Sequence, residues 1–465
     1  MRETGTSVKE YLQHYQKSWH KLQSHSKPER HYPHGNLLET WLVSYNEIKK
    51  RDQNTAELML LFAHFNNRDI WYELVKSGTL SSNRPVWFDN VISDRLDFKE
   101  TMRTLIRFSF IEVNKNEGSY MMHPVVQDWC LYITDTEHDA KRGRLDELAL
   151  VCVGYMVPSQ NERNYWEIEQ RLLAHAGYVY QKWRSDQGTT DIAVCGALNQ
   201  LGILYNNQGK LTEAEEIYQQ ALTGYEKALG PEHTFTLITI NNFGNLYKSL
   251  GKLIEAEEMY RQALAGYEKA LGPDHIFILQ TVNNLGNIYN DQRKLTEAEE
   301  MYQKALTGYE KALGPEHIST LLIVNNLGNL HRNQGKLTKA EEMHQRALAG
   351  YKKILGPEHT YTLLSFHNIG VLYSHQGKLK EAEEMYCRAL AGYVKVLGPD
   401  HISTLLVVYS LGNLYSHQGK LKKAEEMYRQ SLAGYEKALG PVHHKTQQAA
   451  KGLKIIQALI KSELS

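Results

Sequence analysis

The chain has 465 residues, a soft prior of about three domains or one long repeat array. Lys+Arg and Asp+Glu are each 53, so the formal charge is zero, which argues against nucleic acid or an anionic membrane surface as partner. The four cysteines (Cys130, Cys152, Cys195, Cys387) are scattered with no CxxC pair. That pattern excludes a disulfide scaffold and a cysteine zinc site, and fits a reducing, cytoplasmic compartment.

The longest apolar run, Leu148 to Val157, falls short of the roughly 18 residues a membrane span needs. The first residues lack the apolar stretch of a secretory signal. All seven Trp precede residue 184, so the two halves are built differently.

In chain order, Ser7-Val8-Lys9-Glu10 is a capping box that opens a helix to about Gln23. His14, His20, His25, His31 and His34 follow no metal-ligand spacing and read as an exposed helix face. Further helices are expected at about 37–50, 54–67, 69–78 and 98–107. Phe108 to Val113 reads as a strand, Asn114 to Gly118 as a turn and Ser119 to Met122 as the return strand. His123-Pro124 then starts a helix containing Val126, Trp129 and Cys130. Helices followed by a hairpin suggest a winged helix. Residues 1–140 carry 17 Lys+Arg against 19 Asp+Glu, a net of −2, so no basic stripe supports DNA binding. Residues 162–183 read as a degenerate helix leading into the second half of the chain.

That second half is a repeat. Gly202 of Leu-Gly-x-x-Tyr recurs every 42 residues as Gly244, Gly286, Gly328, Gly370 and Gly412. Leu-Gly-Pro-Glu/Asp-His and Ala-Glu-Glu-x-Tyr keep the same step, which gives six units in register. The first helix of each unit shows helical apolar spacing, as in Leu279, Val282, Leu285, Ile288 and Tyr289. It ends at Gly209, Gly251, Gly335, Gly377 or Gly419, which suit a left-handed C-cap; the third unit has Arg293 there and should be strained. The second helix runs from about Leu211 to Leu229 and stops at Leu-Gly-Pro. Its interior glycine (Gly224, Gly266, Gly308, Gly350, Gly392, Gly434) costs about 1 kcal/mol relative to Ala, so a close helix crossing must require it. Tyr205, Tyr218 and their equivalents should be core. His331 and His344 replace tyrosines in the fourth unit, which should therefore pack less tightly. The periodic His233, His275, His317, His359, His401 and His443 stand too far apart for one metal ion and are assigned to loop capping. Residues 445–464 read as a capping helix.

These markers resemble the tetratricopeptide (TPR) family, in its 42-residue kinesin light chain type, from about Ala197 to Val442. The resemblance implies paired antiparallel helices in a right-handed superhelix whose first helices line a concave groove. Three rows on those helices are groove candidates. Three before the glycine stand Asn199, Asn241, Asn283 and Asn325; one after it, Asn245, Asn287, Asn329 and Asn413; four after it, Lys248, Asn290 and Arg332 among others. Asn is a poor helix former, and its amide offers both donor and acceptor to an extended peptide backbone. Satisfying neighbouring loops is the alternative use for the ladder. The Lys with which TPR modules grip a terminal carboxylate is absent from all six units, so an internal peptide segment is the expected ligand.

The first half resembles the region after the nucleotide-binding module of fungal NLR-like (STAND, NB-ARC-type) proteins. The carrying residues are Asn36-Leu37-Leu38-Glu39-Thr40-Trp41, Ala56-Glu57-Leu58-Met59-Leu60-Leu61 and Met122-His123-Pro124-Val125-Val126-Gln127-Asp128-Trp129. The last looks like that family's Met-His-Asp sensor, which by position makes His123 the nucleotide-sensing residue, with Pro124 where the family has Asp. No G-x-x-x-x-G-K-[ST] loop occurs, so this chain should not bind nucleotide by itself. It is expected to be a piece of a longer switch protein, or one keeping only the sensor end.

The expected fold class is mainly α: an α-solenoid preceded by a small winged-helix-like domain with one β-hairpin. The expected domains are 1–140, a helical linker and degenerate first repeat at 141–195, six units over 196–443 and a cap at 444–465. The expected function is a non-catalytic protein- or peptide-binding scaffold, with no cofactor, no metal, and no nucleic-acid or membrane partner. A free-standing kinesin-light-chain-like adaptor bridging two proteins is the alternative.

Overall fold

The structure is a computed structural model and describes residues 37–114, 118–137, 139–162, 164–183, 189–272 and 275–464. The capping box at Ser7 and the histidines from His14 to His34 lie outside the described residues. The chain forms two compact units, residues 1–57 and 58–465.

The first unit holds α1 (Leu37–Arg51) and the start of the next helix; α1 ends on Lys49, Lys50 and Arg51, cations that suit a helix C-terminus. Asp52 then accepts from the Asn54 N–H at 3.0 Å and the Thr55 hydroxyl at 2.5 Å, opening α2 (Gln53–Phe62). This helix is shorter than the expected 54–67. The N–H groups of Ala63, His64 and Phe65 bond carbonyls three residues back, a tightened last turn.

In the second unit, α3 (Tyr72–Lys76) and a 3₁₀ turn (Ser77–Leu80) replace the expected helix over 69–78. Asp69 has φ 58° and Ile70 pairs with Tyr120, so neither can join a helix. The helix α4 (Val86–Ile92), which follows Pro85, is absent from the sequence-based expectation. Asp94 caps α5 (Arg95–Arg107) through the N–H groups of Leu96 and Asp97. The hairpin β1 (Ile111–Asn114) and β2 (Ser119–Met122) is antiparallel, with Ile111 opposite Met122. Its first strand starts later than Phe108, because Phe108, Ser109 and Phe110 close the end of α5 by bonds to Thr104, Ile106 and Leu105. Next come α6 (Pro124–Glu137), α7 (Asp139–Tyr155) and α8 (Tyr165–Trp183).

Six two-helix units complete the chain. Their first helices are α9 (Ile192–Asn207), α11 (Thr234–Ser249), α13 (Ile276–Asp291), α15 (Ile318–Asn333), α17 (Thr360–His375) and α19 (Ile402–His417). Their second helices are α10 (Leu211–Leu229), α12 (Leu253–Leu271), α14 (Leu295–Leu313), α16 (Leu337–Ile354), α18 (Leu379–Leu397) and α20 (Leu421–Leu439). The last helix is α21 (His444–Leu464). The first-helix C-caps are left-handed glycines, and Arg293 is forced to φ 64° in the third unit.

The interior glycines mark the expected crossings. A Cβ on Gly308 would lie 2.3 Å from Leu279 Cδ2, and one on Gly392 2.3 Å from Leu363 Cδ2. The tyrosines of the second helices, from Tyr218 and Tyr225 to Tyr428 and Tyr435, are buried between the pairs. The fourth unit corrects an expectation. His344 is fully buried in the tyrosine's place, with its ring against Gly328 as Tyr302 lies against Gly286, so that unit packs as closely as the others.

The degenerate helix is α8, and it makes one contact of the repeat's kind at a longer sequence spacing, 39 residues instead of 35. Its Glu169 accepts from Gln208 at 2.9 Å, as Glu257 accepts from Gln292, Glu299 from Gln334 and Glu341 from Gln376 at 2.7–3.0 Å.

Candidate functional site

The periodic histidines cap helices. Nδ1 of His233, His275, His317, His359, His401 and His443 accepts the N–H two residues on, at 3.1–3.2 Å. In this tautomer Nε2 carries the proton, and in the later units it donates to a distant part of the chain. His359 Nε2 reaches the Glu162 carbonyl at 3.2 Å and His443 Nε2 the Ser249 carbonyl at 2.9 Å, each almost 200 residues away. His401 bonds the Asn207 backbone in the same way. The starts of α19 and α21 therefore stand on the ends of α9 and α11, and the start of α17 on the turn before α8, so successive turns of the spiral touch. Ile402 and His444 cover Gly209 and Gly251 at these contacts.

The three candidate rows separate physically. Asn199, Asn241, Asn283 and Asn325, three before the glycine, are only 6, 6, 4 and 1% exposed. Their Oδ1 atoms accept amides from the next unit: Asn242 on Asn199 at 3.1 Å, Asn284 on Asn241 at 3.5 Å, Asn326 on Asn283 at 2.9 Å and Asn368 on Asn325 at 3.1 Å. This row is a seam between consecutive first helices, held by buried amide pairs. The donor row two before the glycine was missed in the sequence, although the doublets Asn241-Asn242, Asn283-Asn284 and Asn325-Asn326 signal it.

The row one after the glycine is mostly committed within its own unit. Asn245, Asn287 and Asn413 each accept a tyrosine hydroxyl from the second helix, Tyr260 at 2.7 Å, Tyr302 at 2.8 Å and Tyr428 at 2.6 Å. Asn329 is the exception. Its tyrosine is His344, whose Nδ1 meets Asn325 instead at 3.1 Å. The half-buried Asn329 carboxamide has no hydrogen-bond partner among the described residues.

In the row four after the glycine, Lys248 lies 3.9 Å from Asp291, and Asn290 accepts from Asn333 at 2.9 Å. Lys248 is 36% exposed, yet desolvation holds its ammonium below the usual lysine range. Arg332 is similarly depressed by burial, and its guanidinium bonds the adjacent Asn333 at 3.3 Å. Among the described residues no carboxylate pairs with it. His375 of the next unit also feels its charge, after burial itself. Asn329 and Arg332 stand three apart on α15 and so share one face. Among the described residues of these two rows, unit four alone combines unused amide capacity with an unneutralised cation.

In the preceding region, His123 is exposed and caps α6 by accepting the Val125 N–H at 3.2 Å. Among the described residues no cluster of three metal-ligating side chains occurs, and no helix is long and apolar enough to cross a membrane.

The repeated two-helix unit with touching turns defines an α-solenoid. Two family models, both described as tetratricopeptide repeat, match residues 193–269, 319–395 and 388–437, and residues 278–319. The chain belongs to the tetratricopeptide-repeat proteins. A nucleotide-binding leucine-rich repeat (NLR)-like protein of Hyaloscypha variabilis is 30% identical over 203 residues, 43% of this chain and 18% of that protein. The match thus spans less than a fifth of that relative's length. Among solved structures, aspartyl phosphate phosphatase F of Bacillus subtilis shares the fold at a TM-score of 0.51 and 13% identity, covering 87% of this chain and 94% of that one. A structure described as a kinesin light chain of Podosopora anserina with nearly identical TPR-like repeats is 27% identical, at a TM-score of 0.35, over 43% of this chain and 94% of that one.

Proposed function

We propose that the chain is a non-catalytic, peptide-binding TPR scaffold of the cytoplasm, the sensor part of an NLR-like switch, and that it grips its ligand at unit four. The carrying observation is the pairing of Asn329, an amide without a partner among the described residues, and Arg332, a guanidinium without a carboxylate, on one face of α15. An internal peptide segment supplies what both lack: carbonyl or carboxylate acceptors and a backbone N–H. Lys248 and Asn290 extend the same row toward the start of the array. The seam asparagines Asn199, Asn241, Asn283 and Asn325 support the site by fixing the spacing of the helices that carry it.

The likeness to the fungal NLR-like protein supports the switch role. An in-frame Gly-Lys-Ser/Thr loop in the genomic sequence directly before Met1 would favour it over a free-standing adaptor.

The binding reading is tested by selecting peptides from a random display library on the full chain and titrating the best by calorimetry. The double variant N329A/R332A should bind at least tenfold more weakly, about 1.4 kcal/mol, with an unchanged melting temperature. Selection of no peptide would remove the function. Selected peptides that bind the double variant as well as the wild type would move the site away from unit four.

A further inference from the structure

Helix α8 is fastened to two separate parts of the second unit. At its N-terminus it meets unit five. His359 Nε2 donates to the Glu162 carbonyl at 3.2 Å, and the Tyr165 and Thr360 hydroxyls share a bond at 3.1 Å. The His359 ring lies 5.8 Å from Tyr165 and 5.9 Å from Trp166, and both aromatics share a buried cluster with Leu363, Tyr393 and Leu411.

Further along, α8 holds the hairpin region. Arg171 grips both oxygens of Asp69 at 2.8 Å and lies 3.9 Å over the Trp71 ring. His175 Nε2 meets the Asp69 carbonyl at 3.0 Å, and the Tyr178 hydroxyl donates to the Ala63 carbonyl at 3.3 Å. Asp69 sits in the left-handed region at φ 58°, and its neighbour Ile70 exchanges both backbone bonds with Tyr120 of β2, at 2.9 and 2.7 Å. A left-handed non-glycine residue persists where its surroundings hold it, and the Arg171 fork does so here.

The other turn-to-turn contacts are different. His401 and His443 join the array to itself, at Asn207 and Ser249. Among these imidazole contacts, His359 is the one that joins the array to α8. We infer that α8 is a coupling rod: the contact between unit five and α8, which sets how closely successive turns of the spiral approach, is energetically linked through Arg171 and Asp69 to the order of the hairpin region. A partner that opens or tightens the spiral at unit five is thereby registered in the hairpin region, well before the first repeat. The linkage goes beyond peptide binding and holds whether or not unit four takes a peptide.

Hydrogen–deuterium exchange on the full chain tests it. The variant H359N keeps the helix cap, since Asn also accepts the N–H of Tyr361, but is too short to reach Glu162. Combined with Y165F it removes the polar contacts between unit five and α8, together with the packing of the imidazole on Tyr165 and Trp166. Exchange at 66–74 and 118–122 should rise at least tenfold, while H401N leaves those segments at the wild-type rate. Linkage is reciprocal, so R171A should speed exchange at 358–364. Should H359N/Y165F affect only 158–168, or R171A leave 358–364 unchanged, α8 is a brace at each end and the coupling is refuted. If the double variant is unfolded, H359N alone and R171A carry the same comparison.

Discussion

Gly308 sits where a side chain has no room, and two opposed magnitudes decide what replacing it does. Alanine would gain about 1 kcal/mol of helix propensity over glycine in α14. Its Cβ, however, would stand 2.3 Å from Leu279 Cδ2 in the paired helix, and overpacking of this kind costs about 1–3 kcal/mol. The nearest obstacle is the branched end of a leucine that is itself buried, so it has little freedom to swing away. G308A is therefore expected to lower the melting temperature by a few degrees. A variant as stable as the wild type would show that the crossing has slack, and that the six periodic glycines need another explanation. The same comparison at Gly314, left-handed at φ 90° with nothing within 4 Å of the added carbon, isolates conformational strain from crowding.

Between elements, the amide seam adds to the apolar packing that joins neighbouring units. Substituting Asn241, Asn283 and Asn325 together by alanine removes three acceptors and leaves the donors Asn326 and Asn368 without one, while Asn284 keeps Asn245 Oδ1 at 3.4 Å. Each orphaned donor costs about 1–3 kcal/mol. The triple variant should lose cooperativity in urea unfolding as well as midpoint, because the seam is one of the contacts that couple neighbouring units. A wild-type unfolding curve would contradict the seam. The two-helix units, the capping histidines and the glycine crossings were legible in the sequence, because each is a local requirement repeated at a fixed step. The role of the asparagines was only half legible. Their burial depends on where the next unit's helix lies, which one unit's spacing does not encode. The contacts of His359, His401 and His443 with residues almost 200 positions away arise from the pitch of the spiral. No periodic marker reports pitch. In the region before the repeat, the hairpin's return strand was visible as a short alternating run, whereas α4 was hidden by its brevity and the start of α3 by the left-handed Asp69.

For the whole molecule, buried imidazoles tie stability to pH. Burial pushes His344 down to about 3, and His175 and His367 to about 4, against 6.5 in the open chain. A depressed histidine is neutral in the fold while the unfolded chain takes up its proton. Its contribution is thus complete above pH 6.5 and drains away as pH falls toward 4. Each such group adds a slope of up to about 1.4 kcal/mol per pH unit in that window. Buried carboxyls such as Glu169, pushed upward by desolvation, act in the opposite sense, so the total slope is a difference. A single substitution isolates one group. H344Y restores the tyrosine of the other units and removes one imidazole from the sum. The pH dependence of unfolding free energy between about 7 and 5 should flatten by about one proton. At neutral pH the variant should be at least as stable as the wild type, because His344 Nε2 has no partner in its buried site whereas a tyrosine hydroxyl there can reach Asn329. That same bond would occupy the amide assigned to ligand binding, so H344Y should also weaken the selected peptide. If the slope were unchanged, His344 would have to be protonated in the fold or exposed to solvent, and the vacant amide of unit four would lose its explanation.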